Sequence, residues 1–201
     1  MNKPVLTAVT GGIGAGKSVV CRMLRCMGFP VYDCDERARA IIAELPALQK
    51  DISEKICKDA FREDGSYNRK AVADAVFADE KRRRALNALV HAAVFADIIR
   101  WRNRHSGHAR LFVESAILYT SDLWHMVDDA WIVEADEETR IARVMLRSHM
   151  TGQSVPLSPD DIRARMAAQA FSPDDFPLPY SIIVNDSVTP LLPQVLALLD
   201  A

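Results

Sequence analysis

The chain has 201 residues, 49% of them hydrophobic and 26% charged, with a formal net charge of −2. That is enough apolar material for one domain with a modest insertion, and it excludes a disordered tail. The near-neutral balance excludes a protein built chiefly to coat nucleic acid or an anionic membrane. No apolar run approaches the ~18 residues of a membrane span, and Met1-Asn2-Lys3-Pro4 leads into a strand-like segment without a signal-peptide layout. Cys21, Cys26, Cys34 and Cys57 are unevenly spaced and contain no C-x-x-C pair. They predict reduced thiols in a cytoplasmic protein, not a disulfide scaffold or a zinc ribbon.

Strand-like and helix-like stretches alternate, which predicts an α/β fold on a parallel five-stranded sheet. Val5 to Thr10 reads as the first strand. Val20, Met23, Leu24 and Met27 recur at helical spacing within Ser18 to Met27, and Gly28 stands where that helix would stop. Further strands are predicted at 29–32, 111–113, 130–133 and 180–184. Helices are predicted at 136–148, 158–170 and 189–199. Ser158-Pro159-Asp160-Asp161 has the order of a helix start, and Thr189-Pro190 repeats it. Asp35 to Arg104 carries no strand pattern and reads as helical with breaks at Pro46 and at Asp64-Gly65. Seventy helical residues are too many for a simple crossover, so this stretch is expected to be an inserted substrate-binding region. The Thr, Gly, Ser and Pro residues of 148–159 predict a polar loop between two helices.

Gly11-Gly12-Ile13-Gly14-Ala15-Gly16-Lys17-Ser18 matches G-x-x-x-x-G-K-[ST] between a strand and a helix, the context a phosphate-binding loop requires. Its backbone N–H groups, with Gly12, Ile13, Gly14, Ala15, Gly16, Lys17, Ser18 and Val19 as the binding segment, would cradle the phosphates of ATP. Lys17 would reach the β- and γ-phosphates, and the Ser18 hydroxyl would ligate Mg²⁺. No N-K-x-D segment of the GTPase kind occurs. Asp33-Cys34-Asp35 follows the second strand, at the end where parallel strands face a ligand crevice. Asp33, nearer the strand, is expected to act on an acceptor hydroxyl, and Asp35 either to bind substrate or to cap the next helix. Glu114 closes the third strand and is the expected second contributor to the metal shell. Arg140, Arg143 and Arg147 share one helix face. With Arg163 beyond the loop, this row could meet the charge that spreads during phosphoryl transfer, or could be a solvated basic face. Lys81 to Arg84 and His105-x-x-His108 read as a solvated helix face and a turn.

In these features the chain resembles the dephospho-CoA kinase family. The family's T-G-G-I-G-[SA]-G-K-[ST] stands at Thr10 to Ser18, and its D-x-D at Asp33 to Asp35. Its L-N-x-[LI]-x-H-P appears as Leu86 to His91 with Ala92 in place of the proline, and its R-x-x-[LV]…[VI]-F as Arg69 to Phe77. The R-x-x-x-R before the lid falls on Arg143 and Arg147, the R-x-x-x-Q after it on Arg165 and Gln169, and the Asn after the late strand on Asn185. Where the family has D-[IV]-P-L-L-[FY]-E, Glu114 to Thr120 lacks the proline and the final acid.

The resemblance implies ATP-dependent phosphorylation of the ribose 3′-hydroxyl of dephospho-CoA with Mg²⁺. It adds His91 as a substrate-binding residue and Asn185 as a nucleotide-binding one, and it implies that Arg143 and Arg147 clamp the transferring phosphoryl group, which leaves Arg140 and Arg163 to a solvated surface. It also implies a core at 1–34, 110–147 and 171–201, a CoA-binding insertion at 35–109 and a lid at 148–170. No nucleic-acid or membrane partner is expected, and the chain is expected to be a monomer or small homo-oligomer. Another small-molecule kinase on the same core, or a non-enzymatic ATP-binding module, are the competing readings.

Overall fold

The computed structural model describes residues 3–77, 79–118, 121–150, 157–167 and 177–200. The chain forms two units: Met1–Tyr32 with His105–Ala201, and Asp33–Arg104.

In the first unit β1 (Val5–Thr10) is central, and Leu6 to Thr10 are all buried. A strand covered on both faces reads as a continuous apolar run rather than an alternating one, and Val-Leu-Thr-Ala-Val-Thr is such a run. After the glycine-rich loop comes α1 (Lys17–Cys26), whose Val20, Cys21 and Leu24 face inward. It stops at Gly28, where Phe29 N–H donates to Leu24 O and Gly28 N–H to Arg25 O. The remaining strands are β2 (Val31–Asp33), β3 (Arg110–Glu114), β4 (Asp129–Glu134) and β5 (Tyr180–Val184), in the order β2-β3-β1-β4-β5. The β1–β3, β1–β4 and β4–β5 pairs are parallel. The register sets Val9 beside Glu114 and Thr10 beside Ile132.

One face of the sheet packs on α1 and α8 (Leu191–Leu199) through Val9, Val20, Leu24, Phe112, Ile183 and Val195. Phe112 anchors it, its ring 5.0 Å from Trp131 and 5.5 Å edge-on from Phe29. Helices α6 (Glu137–Met150) and α7 (Pro159–Ala167) join through Ile141, Val144, Ile162 and Met166. Ser158 and Asp161 cap α7 reciprocally, as the sequence predicts: the serine hydroxyl accepts from the Asp161 amide and the carboxylate from the Ser158 amide, each at 3.1 Å. The second such signal is not used in that way. Pro190, not Thr189, is the N-cap of α8, with no side-chain bond. Thr189 instead donates to Asp186 in the preceding turn.

In the second unit α2 (Cys34–Glu44), α3 (Pro46–Lys55) and α4 (Arg69–Phe77) each pack on the long α5 (Glu80–Arg104). The break at Asp64-Gly65 is a turn closed by a short antiparallel bridge, Phe61 to Tyr67. Asp97 of α5 is only 5% exposed. A buried carboxylate needs a partner, and Arg37 of α2 supplies one at 3.1 Å, with Arg100 at 3.2 Å. A 3₁₀ turn at Asp122–Met126, which the sequence pattern does not announce, follows β3. No described helix is long and apolar enough to cross a membrane, and all four cysteines are free thiols.

Candidate active site

The glycine-rich loop runs from the end of β1 into the first turn of α1. Gly16 is the N-cap of α1 at φ 101°, and Gly14 also has a positive φ, conformations an L side chain rarely adopts. The loop closes on itself through Ala15 N–H to Gly12 O at 3.1 Å. Lys17 Nζ donates to the carbonyls of Gly11 at 2.8 Å and Gly12 at 3.2 Å, so the ammonium lies over the first turn of the loop. Ser18 and Val19, in the first turn of α1, are exposed.

The outside of the loop is bound by side chains from two other elements. Asn185, just past β5 and 8% exposed, donates Nδ2–H to Ala15 O at 2.7 Å. Arg143 of α6 reaches the same carbonyl at 3.4 Å and also donates to Asn185 Oδ1 and to Ser187 Oγ. Ser187 adopts φ 71°, a conformation a serine rarely takes, and its hydroxyl accepts from the guanidinium at 2.8 Å. Arg140 donates Nε–H to Ile13 O at 2.9 Å. Arg147, the third of the row, is exposed.

Beside the loop lies a cavity of about 820 Å³, lined among others by Gly12, Ala15, Glu134, Asp136, Arg140 and Asp186. Two of its acids are held well ionised. Backbone N–H groups of Thr189 and Val188 push the Asp186 carboxyl below its usual range, and the Thr139 amide does the same for Asp136.

Glu114 ends β3 beside Val9, and Ser115 N–H donates to Val9 O at 3.1 Å. A serine hydroxyl and one carboxylate are hard oxygen donors of the kind that suits Mg²⁺ shared with phosphates and water. No cluster of three or more His, Cys, Asp or Glu that could cage a metal occurs among the described residues. The chemistry of Ser18 and Glu114 fits Mg²⁺.

Asp33, Asp35 and His91 belong to the second unit. Asp33 Oδ1 accepts the Glu36 N–H at 2.9 Å and caps α2, while Asp35 lies in the first helical turn. The sequence reading offers the cap to Asp35; the structure gives it to Asp33, because the strand ends there in extended backbone and the cap residue must precede the first helical φ/ψ. Asp33 Oδ2 makes no hydrogen bond among the described residues. His91 is half-buried on α5, its ring stacked 6.1 Å from Phe95.

Arg163 pairs with Glu137 and Asp160 and also lines the cavity beside the loop. Of the Lys81–Arg84 run, the three arginines pair with Asp79 or Glu80. His108 N–H donates to His105 O, a turn. Arg140 is different: the solvated face expected for it is not what forms, because the first turn of α6 abuts the loop. Its spacing from Arg143 was the available signal. Ser187 offered none beyond its polar neighbours. Thr120, Gln169 and residues 151–156 of the predicted 148–159 loop lie outside the described residues, whereas 148–150 continue α6 and so are helix where a loop is predicted.

A family model described as dephospho-CoA kinase matches residues 5–190. This chain belongs to the dephospho-CoA kinase family. A curated dephospho-CoA kinase of Symbiobacterium thermophilum is 39% identical over 172 residues, covering 82% of this chain and 66% of that protein. One of Bacteroides fragilis is 30% identical over 95% of this chain and 89% of its own length. A crystal structure from Thermus thermophilus, 29% identical, superposes with a TM-score of 0.74 over 99% of this chain and 96% of that one. The fold is also that of a dephospho-CoA kinase from Campylobacter jejuni, with a TM-score of 0.68 at 20% identity over 97% of this chain and 95% of that one.

Proposed function

We propose that this chain transfers the γ-phosphoryl group of ATP to the ribose 3′-hydroxyl of dephospho-CoA, giving CoA, the last step of CoA synthesis. The observation that carries the reading is the loop from Gly11 to Ser18, with Asn185 and Arg143 on the Ala15 carbonyl, in a chain of this family.

The loop amides of Gly12 to Val19 hold the phosphates, and Lys17 offsets their charge. Ser18 and Glu114 would hold Mg²⁺, which when bound neutralises charge on the phosphate oxygens. Asp33 receives the proton of the attacking hydroxyl through the oxygen its cap bond leaves open, and Asp35 and His91 bind the acceptor. Arg143 and Arg147 meet the charge that spreads over the equatorial oxygens in the transition state. Residues 1–34, 110–147 and 171–201 form the nucleotide core, 35–109 the acceptor region and 148–170 the lid. The enzyme works in the cytoplasm as a monomer or small homo-oligomer, without nucleic acid or membrane.

Coupled ADP release on adding dephospho-CoA to enzyme and MgATP tests the reading, with nucleosides and nucleic acid as alternative acceptors. Turnover confined to dephospho-CoA is expected. Turnover with another acceptor alone, or none, would reject it.

A further inference from the structure

The glycine-rich loop is gripped from outside by α6 at a residue the reaction scheme does not use. Arg140 Nε–H donates to Ile13 O at 2.9 Å. The guanidinium lies against Gly12, so that a Cβ built there falls on Nη2 and comes within 2.7 Å of Cζ. The backbone of the same residue abuts Gly14, whose Cβ would fall 3.0 Å from Arg140 Cα. Its two Nη groups make no hydrogen bond or ion pair among the described residues, although Asp136 and Glu137 precede it on the same turn. Among the described residues its side chain's one hydrogen bond is to the loop.

A trans peptide is planar, with C=O and N–H on opposite sides. A carbonyl turned out toward α6 therefore turns the next amide in. Ile13 O bound by Arg140 aims Gly14 N–H inward, just as Ala15 O bound by Asn185 and Arg143 aims Gly16 N–H inward. Neither amide donates to a backbone carbonyl among the described residues, so both are available to an anion. The outer ring of donors sets the shape of the inner one.

We propose that Arg140 is a positioning residue of the phosphate cradle. Through its bond to Ile13 O it orients the Gly14 amide toward nucleotide phosphate, and it ties the cradle to α6. It does not touch the transferred phosphoryl group. The proposal rests on ATP being the ligand of the loop.

Glutamine and methionine separate the bond from the charge. Glutamine places an N–H donor at the same distance along the side chain as arginine Nε and carries no charge; methionine places a methyl group there. MgATP binding is measured by calorimetry without acceptor, together with kcat, KM and thermal unfolding. Arg140→Met should weaken MgATP binding about tenfold, the size of one lost hydrogen bond from a charged donor. Arg140→Gln should bind within about threefold of the wild type. Turnover at saturating ATP should change little in either, because the cradle holds ground state and transition state alike.

If Arg140→Gln binds as weakly as Arg140→Met, the charge acts rather than the bond, and the proposal fails. If Arg140→Met binds like the wild type, the bond orients nothing. Arg140→Ala is the second truncation; if both truncations fail to fold, Arg140 is a determinant of the fold and the proposal is overturned. Binding of MgATP by the wild type without turnover on dephospho-CoA would sink the acceptor reading alone, whereas failure of the wild type to bind MgATP would sink both.

Discussion

Gly16→Ala tests how tightly the loop is built. Gly16 caps α1 at φ 101° and ψ 23°, and an L residue forced into such a conformation costs about 1–2 kcal/mol. The new Cβ would also fall on Asn185 Nδ2 and sit 3.9 Å from Arg143 Nη1. Asn185 cannot yield cheaply, since it is 8% exposed and bonded at 2.7 Å to Ala15 O and at 3.3 Å to Arg143. Turning it away loses a buried hydrogen bond, about 1 kcal/mol. Alanine recovers roughly 0.5 kcal/mol by restricting the unfolded chain. The net destabilisation is about 2 kcal/mol, a fall in Tm of roughly 4–8 °C for a chain of this size. MgATP binding should weaken more than tenfold.

The assay is a double-mutant cycle with Asn185→Ala, read by thermal unfolding and by nucleotide binding. Asn185→Ala alone should cost about 1 kcal/mol, because Arg143 still reaches Ala15 O at 3.4 Å. In that background the clash is gone and only the backbone strain remains, so the stability cost of Gly16→Ala should shrink by about 1 kcal/mol. Additivity within about 0.5 kcal/mol would refute the reasoning, as would a Gly16→Ala variant that melts and binds like the wild type.

Asp33→Asn should keep MgATP binding and the α2 cap, since asparagine also caps, yet lose most of kcat; Asp35→Asn should lose less, and the reverse ranking in a steady-state assay would move the proton acceptor to Asp35. Arg143→Met and Arg147→Met should lower kcat and kcat/KM together, with Arg143→Met also loosening the loop through Ala15, whereas a rise in KM for ATP alone would make both arginines binding groups. The carboxyls of Asp136 and Asp186 have folded-state pKa values below their unfolded ones. Their contribution is present above the unfolded value of about 4 and is lost as pH falls through the lower folded one. Thermal unfolding across that acid range should show a shallower pH dependence in Asp136→Asn/Asp186→Asn than in the wild type, and an unchanged profile would remove these two acids from the account.

What the amino-acid order determined was whatever depends on neighbours along the chain. The loop motif, its strand and its helix lie within Val5 to Cys26, where periodicity and glycine placement act over a few residues. β5 falls at Tyr180–Val184, as its apolar run predicts, and the helices of Asp33–Arg104 follow from the absence of alternation there. Tertiary structure decided which side chains close around the loop. Arg140 and Arg143 stand 127 and 128 residues from Ile13 and Ala15, and Asn185 stands 170 from Ala15. Three arginines on one helix face look alike in sequence. Only the docking of the first turn of α6 against Gly12 and Gly14 puts Arg140 on a carbonyl and leaves Arg147 exposed. The α2 cap was likewise settled by backbone: two acids stood ready, and the one at the extended end of β2 took the bond, because a cap is defined by where helical φ/ψ begins. Local pattern specifies elements, but the partners of a charged side chain depend on how those elements pack.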